Sequence, residues 1–421
     1  MFKKKFHPVT GQYLSTRARI APHGFRQIVN RDYNPDKIAA PTLSIEALHL
    51  FAMFSINKCR YKRARDAVSA FTTVDLDELI ILELPVGIPQ QEGKCMKLGK
   101  MCYGLKQAAW MFHDKVRKTL LDIGYQPTLF DACLYFILVT DGDRQYLVLT
   151  AVYVDNFNTA AEREEDAVHY DADIGKRIDS RIEDPNIILG IVFVETADTL
   201  QLNMKFQCEA VLERFGMLDA NVKKTPLPAS LVLKPATTEL QTTESRQYPY
   251  PEVVGSVMWI IRCTLVSAKF ACNTLCAHMT KWDTTHVAAA QHMLKYIKHM
   301  KNEGLTFRRK PTLDRLSMRV FCDANFAGEP PESTHAAMRS TSAFQIVLDG
   351  IGTILFLSKQ QTTVAKSTFE AEYRCASHAA QVQQGYINVL GQLGEVVQCP
   401  TPFAIDNTAT MRAITTQATS F

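Results

Sequence analysis

The sequence has no Cys-x-x-Cys pair, although it holds eleven cysteines. An odd, scattered set argues against a disulfide framework and for reduced thiols in an intracellular compartment. Cys272, Cys276 and His278 come nearest to a metal cluster, but no second ligand pair follows at zinc-site spacing, so buried core thiols are expected. An apolar segment is missing behind the basic start MFKKKFHPVTG, and the greasiest stretch, Gly255 to Met279, is interrupted by Arg262 and Lys269. Neither export nor membrane insertion is expected. Repeats at solenoid periods and low-complexity tracts are also absent. Excess charge is scarce: 47 basic against 43 acidic residues give +4. Basic clusters around Lys3, Arg60, Lys115 and Arg308 permit a polyanionic partner without requiring one.

What is present is the composition of a globular chain, 47% apolar over 421 residues, enough for two or three domains. The pattern is α+β. TLSIEALHLFAMFSI has helical periodicity; AAWMFHDKVRKTLLDIGY reads as an amphipathic helix ending at Gly124; YLVLTAVYV is a β-rich run. From Thr225 to Gln247 the text turns rich in Thr, Pro and Ser, which marks a linker or long surface loop. Helical segments follow, and a second unit opens near Leu316 with an alternating strand ending at Asp323. It continues through a hairpin turning at Asp349-Gly350, a long helix from Ser367, and a short strand ending at Asp406.

Single acids at strand and helix ends are what two-metal phosphodiester chemistry needs, because the paired ions, about 4 Å apart, are held by carboxylates from different elements. Two such sets are present: Asp66 with Asp155, and Asp323 with Glu370 and Asp406. Each has an ordinary alternative. Asp66 can be a surface acid balancing Arg63 and Arg65. Asp155-Asn156, in AVYVDNFNTA, can be a hairpin tip. Ser367 and Glu370 have the spacing of a capping box, and Asp406-Asn407 can be a turn or helix cap.

Taken in order, RARIAPHGFRQ, DAVSAFTTVDLDELIILELPVG, YGLKQA, YVDN, MLKYIKHMKNEGLTF, CDANFAG, LSKQQTTVAKSTFEAEY and IDNTAT resemble the reverse transcriptase and ribonuclease H region of copia-type retrotransposon polyproteins. The resemblance covers nearly the whole chain. It implies a right-hand polymerase of fingers, palm and thumb over residues 1–230, a linker and helical connection over 231–314, and a C-terminally incomplete ribonuclease H-like α/β domain over 315–421. Asp66 and Asp155 then correspond to palm metal ligands, with Asn156 in the place of a second aspartate. Phe71 corresponds to the bulky residue under the incoming sugar that excludes a 2′-hydroxyl. Arg17 and Arg19 fall where the triphosphate is held, and Gly104 and Gln107 in the loop beneath the nucleotide. Asp323, Glu370 and Asp406 correspond to ribonuclease H ligands. The cofactor implied is Mg²⁺ or Mn²⁺. The partners implied are an RNA template, a DNA primer, an RNA–DNA hybrid and deoxynucleoside triphosphates, with no membrane, in a cytoplasmic particle or the nucleus.

Several positions depart from the family pattern. Asn156 keeps an oxygen near the ion but removes a unit charge, which at about 4 Å and a dielectric near 20 is worth on the order of 4 kcal/mol. Ala109-Trp110 stands where a Pro-Arg pair is usual, and the chain ends at Phe421, before the segment expected to carry the last ribonuclease H acid. The expectation is an impaired copy of the enzyme, the alternative an inactive nucleic-acid-binding relic.

Overall fold

The computed structural model describes residues 2–6, 13–18, 21–76, 78–84, 93–234, 236, 243–310, 313, 315–327 and 338–418. The first part of the chain runs β1 (Phe2–Phe6), β2 (Tyr13–Ala18), α1 (Ile45–Asn57), β3 (Tyr61–Ala67), β4 (Ile81–Leu82), β5 (Met96–Lys97), α2 (Ala108–Ile123), β6 (Gln126–Pro127), β7 (Leu134–Asp141), β8 (Arg144–Tyr153), β9 (Asn156–Ala161), α3 (Glu164–Arg177) and β10 (Ser180–Glu183). The remainder runs β11 (Ile187–Ile188), β12 (Ile191–Glu195), β13 (Thr199–Asn203), α4 (Lys205–Arg214), α5 (Thr243–Gln247), α6 (Tyr250–Thr264), α7 (Lys269–Cys276), α8 (Thr284–Met300), β14 (Gly304–Arg308), β15 (Met318–Asn325), β16 (Thr341–Leu348), β17 (Gly352–Gln360), α9 (Thr368–Gln392), β18 (Phe403–Ile405) and α10 (Thr408–Ala418). Residues 1–47 and 58–185 make one compact unit, and residues 48–57 and 186–421 another.

The first unit is built on the antiparallel sheet β10-β3-β9-β8-β7-β6. Helix α2 carries Ala108, Phe112, Val116 and Leu120 every fourth residue, one stripe facing the core. Those side chains pack with Tyr135, Val148, Val152 and Phe157 of the sheet and with Ala167 and Ile174 of α3. Each fully buried large apolar side chain contributes roughly 1.5–3 kcal/mol. The helix stops at Gly124, whose φ of 110° no Cβ-bearing residue adopts easily, and whose N–H returns to the Leu120 and Leu121 carbonyls. Between β8 and β9, the Thr150 hydroxyl donates to Tyr125 Oη at 2.8 Å and meets Thr159 Oγ1 at 3.0 Å, a buried link that holds the two strands in register.

The second unit contains the antiparallel sheet β11-β12-β13-β14 and the sheet β17-β16-β15-β18, in which β18 alone runs parallel to its neighbour β15. The Asp349-Gly350 turn joins β16 to β17 as its composition implies. Helix α9 packs across β15 and β16 and buries Ala371, Cys375, Ala376, Ala379 and Tyr386. Ser367 caps it, accepting the Glu370 N–H at 3.1 Å. Helix α8 is capped by Asp283, whose carboxylate accepts the Thr285 and His286 N–H groups and meets His286 Nδ1 at 2.8 Å. No disulfide links any of the eleven cysteines. Among the described residues no helix is long and apolar enough to cross a membrane.

Candidate functional site

Strand β3 alternates its side chains. Arg65 points to the helical layer and pairs with Asp171 of α3 at 2.8 Å, in space left by Gly175, which has no Cβ to meet the guanidinium. Asp66, the next residue, therefore faces the other side of the sheet. Across from it in the β3–β9 register stands Asn156. The sequence places the hairpin tip at Asp155-Asn156. In the structure Asn156 is the first residue of β9 and pairs with Tyr153, so the two-residue turn is Val154-Asp155. Val154 has φ 55°, a backbone conformation at the first turn position that ordinarily favours glycine, and Asp155 is not among the positive-φ residues. That turn folds Asp155 back onto β3, where its carbonyl accepts the Ala67 N–H at 2.7 Å. The Asn156 amide donates to Asp155 Oδ1 at 3.2 Å. Where a carboxylate would add charge and lone pairs, the amide adds a donor and occupies one of Asp155's.

Phe71 follows Asp66 by five residues, in a 3-10 turn spanning Ala70–Thr73. Its ring lies edge-on to Tyr103, centroids 4.7 Å apart, and to Phe112 at 5.9 Å. The 103–108 loop is tied to the 21–34 segment. Gln27 accepts the Lys106 N–H at 2.8 Å and donates to Gln107 Oε1 at 3.0 Å, while Gln107 donates to the Asp32 carbonyl at 3.0 Å. Gln107 is buried and its amide is committed to protein partners, so in this structure it holds the loop. Gly104, at φ 101°, runs against the backbone of Pro22, and Gly24 against the backbone of Gly104, closely enough that neither tolerates a Cβ. Arg17 lies in β2 opposite Lys3, and Arg19 lies outside the described residues.

In the second unit, carboxylate oxygens of Asp323, Glu372 and Asp406 lie within 4.8 Å of one another. Asp323 comes from β15, Asp406 from the end of its parallel neighbour β18, and Glu372 from the buried face of α9. Glu370 is not among them, a correction to the sequence reading. Two residues are about 200° of helix, so Glu370 and Glu372 face opposite ways. Glu370 is partly exposed, accepts the Lys366 N–H at 2.7 Å and pairs with Arg374 at 2.6 Å. It serves the helix start, and the Lys366 N–H followed by Arg374 holds its carboxyl below the usual range. Glu372 accepts the Ala324 N–H at 3.2 Å through Oε1, while Oε2 is buried with no hydrogen-bond partner. Burial first, then the charges of Asp323 and Asp406, push its carboxyl above the ordinary glutamate range. A signal for Glu372 was available: the apolar period of α9, Ala371, Cys375, Ala376 and Ala379, leaves position 372 on the buried side and 370 off it. Of the Cys272, Cys276 and His278 group, Cys272 is buried on α7, Cys276 is only partly buried, and the His278 ring rests on His286 at 4.5 Å.

Residues 1–229 match the family model described as reverse transcriptase (RNA-dependent DNA polymerase). The Retrovirus-related Pol polyprotein from transposon TNT 1-94 of Nicotiana tabacum is 28% identical over 404 residues, 93% of this chain and 29% of that polyprotein. The Pol polyprotein from transposon RE2 of Arabidopsis thaliana is 26% identical over 412 residues, 97% of this chain and 27% of the other. The chain thus spans less than a third of the length of these two polyproteins. Among solved structures, a foamy viral protease-reverse transcriptase in complex with double-stranded DNA aligns with 89% of this chain and 55% of its own, at 12% identity and a TM-score of 0.48. The chain belongs to the reverse transcriptase (RNA-dependent DNA polymerase) family, in the form carried by copia-type retrotransposons.

Proposed function

We propose that the chain is the polymerase and ribonuclease H portion of a retrotransposon polyprotein, with a hydrolytic site that keeps three converging acids and a polymerising site short of one. Residues 1–230 supply fingers, palm and the start of the thumb, 231–314 the connection, and 315–421 the ribonuclease H-like domain. The observation that carries the reading is the convergence of Asp323, Glu372 and Asp406, with one Glu372 oxygen buried and unpartnered. An all-oxygen, like-charged set with an orphaned acceptor suits a hard divalent cation such as Mg²⁺. Bound there, such an ion would activate water and stabilise the leaving 3′-oxygen. The protein's own part is to fix three carboxylates from three elements before substrate arrives, and to accept an RNA–DNA hybrid through its 2′-hydroxyls.

In the palm, Asp66 and Asp155 are the residues to hold ions for nucleotidyl transfer, Phe71 the filter against ribose, and Arg17 and Arg19 the triphosphate contacts. Asn156 withdraws one charge, and a penalty of even about 3 kcal/mol is two decades of rate. RNA template, DNA primer and deoxynucleoside triphosphates are the substrates of this reading. Cleavage of a labelled RNA–DNA hybrid in Mg²⁺ tests the hydrolytic site. Glu372→Gln should lower the rate by at least about a hundredfold, the scale of a lost charge at a metal centre, and Glu370→Gln should leave it within severalfold. Equal loss in both variants would contradict the assignment. Salt-sensitive hybrid binding with no cleavage by the unaltered protein would favour the inactive relic.

A further inference from the structure

We infer that Tyr103 sets sugar discrimination by holding the Phe71 ring in place, and that Gln27 fixes the loop that carries Tyr103. The inference rests on the reading of Phe71 as the ribose filter. A steric filter works only while the ring cannot swing aside, because an aromatic side chain that yields by a rotamer change admits the extra hydroxyl. Phe71 is only partly buried and packs at the margin of the core, so the setting of its ring depends on the rings beside it. Two rings meet it. Phe112 belongs to α2 and is buried at 1% exposure, a fixed floor. Tyr103 sits at the nearer distance, 4.7 Å with planes at 65°, and comes from a loop.

What makes that loop rigid is its attachment to residues 22–33. Gln27 bridges the Lys106 N–H and the Gln107 amide, Gln107 reaches the Asp32 carbonyl, and Lys106 Nζ meets Tyr33 Oη at 3.0 Å with its charge 4.5 Å from the Tyr33 ring centroid. The Gly24 and Gly104 backbones lie flush. Tyr103 and Gln27 are therefore positioning residues. Neither is asked to touch the reacting atoms, and both act on selectivity through the angle and stiffness of one ring.

The test uses the full chain on an RNA template with a dideoxy-terminated DNA primer, which reads nucleotide binding without requiring catalysis. The measured quantity is the ratio of apparent affinities for the complementary dNTP and rNTP. Tyr103→Ala should shift that ratio toward the ribonucleotide by at least about tenfold, the discrimination one shaped apolar contact supplies. Tyr103→Phe, which keeps the ring, should restore it, and Gln27→Leu should shift it in the same direction as Tyr103→Ala. If Tyr103→Ala proves too unstable to assay, Tyr103→Leu fills the space without the ring edge and should shift the ratio the same way. Phe71→Val separates the layers of the inference. Ratios shifted by Phe71→Val but untouched by Tyr103→Ala, Tyr103→Leu and Gln27→Leu would overturn the inference alone. An unmoved ratio in Phe71→Val, or no nucleotide stabilisation of any complex, would overturn the filter reading and this inference with it.

Discussion

At the scale of single residues, one acid and one amide decide how the molecule behaves. Glu372 is ionised at a cost, because burial and the neighbouring charges of Asp323 and Asp406 raise its pKa above that of an unfolded glutamate. Between the ordinary glutamate range and the raised value the folded state binds more protons than the unfolded one. Stability therefore falls as pH rises through that window, and stays reduced above it. Glu372→Gln should accordingly melt at a higher temperature than the unaltered protein at neutral pH in EDTA, with the gap closing below the ordinary glutamate range. Mg²⁺ should raise the melting temperature of the unaltered protein by more than that of the variant, which keeps only the palm set of acids unaltered. A variant that melts lower in EDTA would contradict the strained-acid picture. Asn156 is the opposite case, since its amide relieves repulsion by donating to Asp155, and what it gains in local satisfaction it loses as a ligand.

At the scale of elements, the hairpin and α9 show what was legible in the sequence. The strands on both sides of the tip are legible as apolar, β-rich runs, and so is α9 from Ser367 onward. The turn itself was displaced by one residue. Asx-rich tips are the rule for such loops, and nothing local announces that Val154, a β-branched residue, will take φ 55°. That conformation costs on the order of 1–3 kcal/mol and persists only because the β8–β9 pairing imposes it. Val154→Gly should therefore stabilise the protein by about 1 kcal/mol, seen as a higher denaturation midpoint; an unchanged or lower midpoint would show that the tip carries no such strain. Glu370 was misread because capping spacing and ligand position share a helical turn, and only the phase of the buried face separates them. The bridging role of Gln27 is not legible in the sequence: its partners, Lys106 and Gln107, lie some eighty residues away and no local pattern links them.

At the scale of the molecule, the two sets of acids reside in different compact units, Asp66 and Asp155 in one and Asp323, Glu372 and Asp406 in the other. They draw on separate sheets and separate packing, so a lesion in the first does not require one in the second. This is why the proposed state, a silent palm beside a hydrolytic cluster of three converging acids, is physically coherent. The family assignment rests on residues 1–229, which makes the palm the decisive place to look. The direct measurement is primer extension on an RNA template in Mg²⁺, comparing the chain as it stands with Asn156→Asp and with an Asp155→Ala, Asn156→Asp double variant as the control. The account predicts that Asn156→Asp extends the primer at least about a hundredfold faster than the unaltered chain, the scale of a missing unit charge, and that the double variant does not extend it. Efficient extension by the unaltered chain, or none by Asn156→Asp, would contradict it.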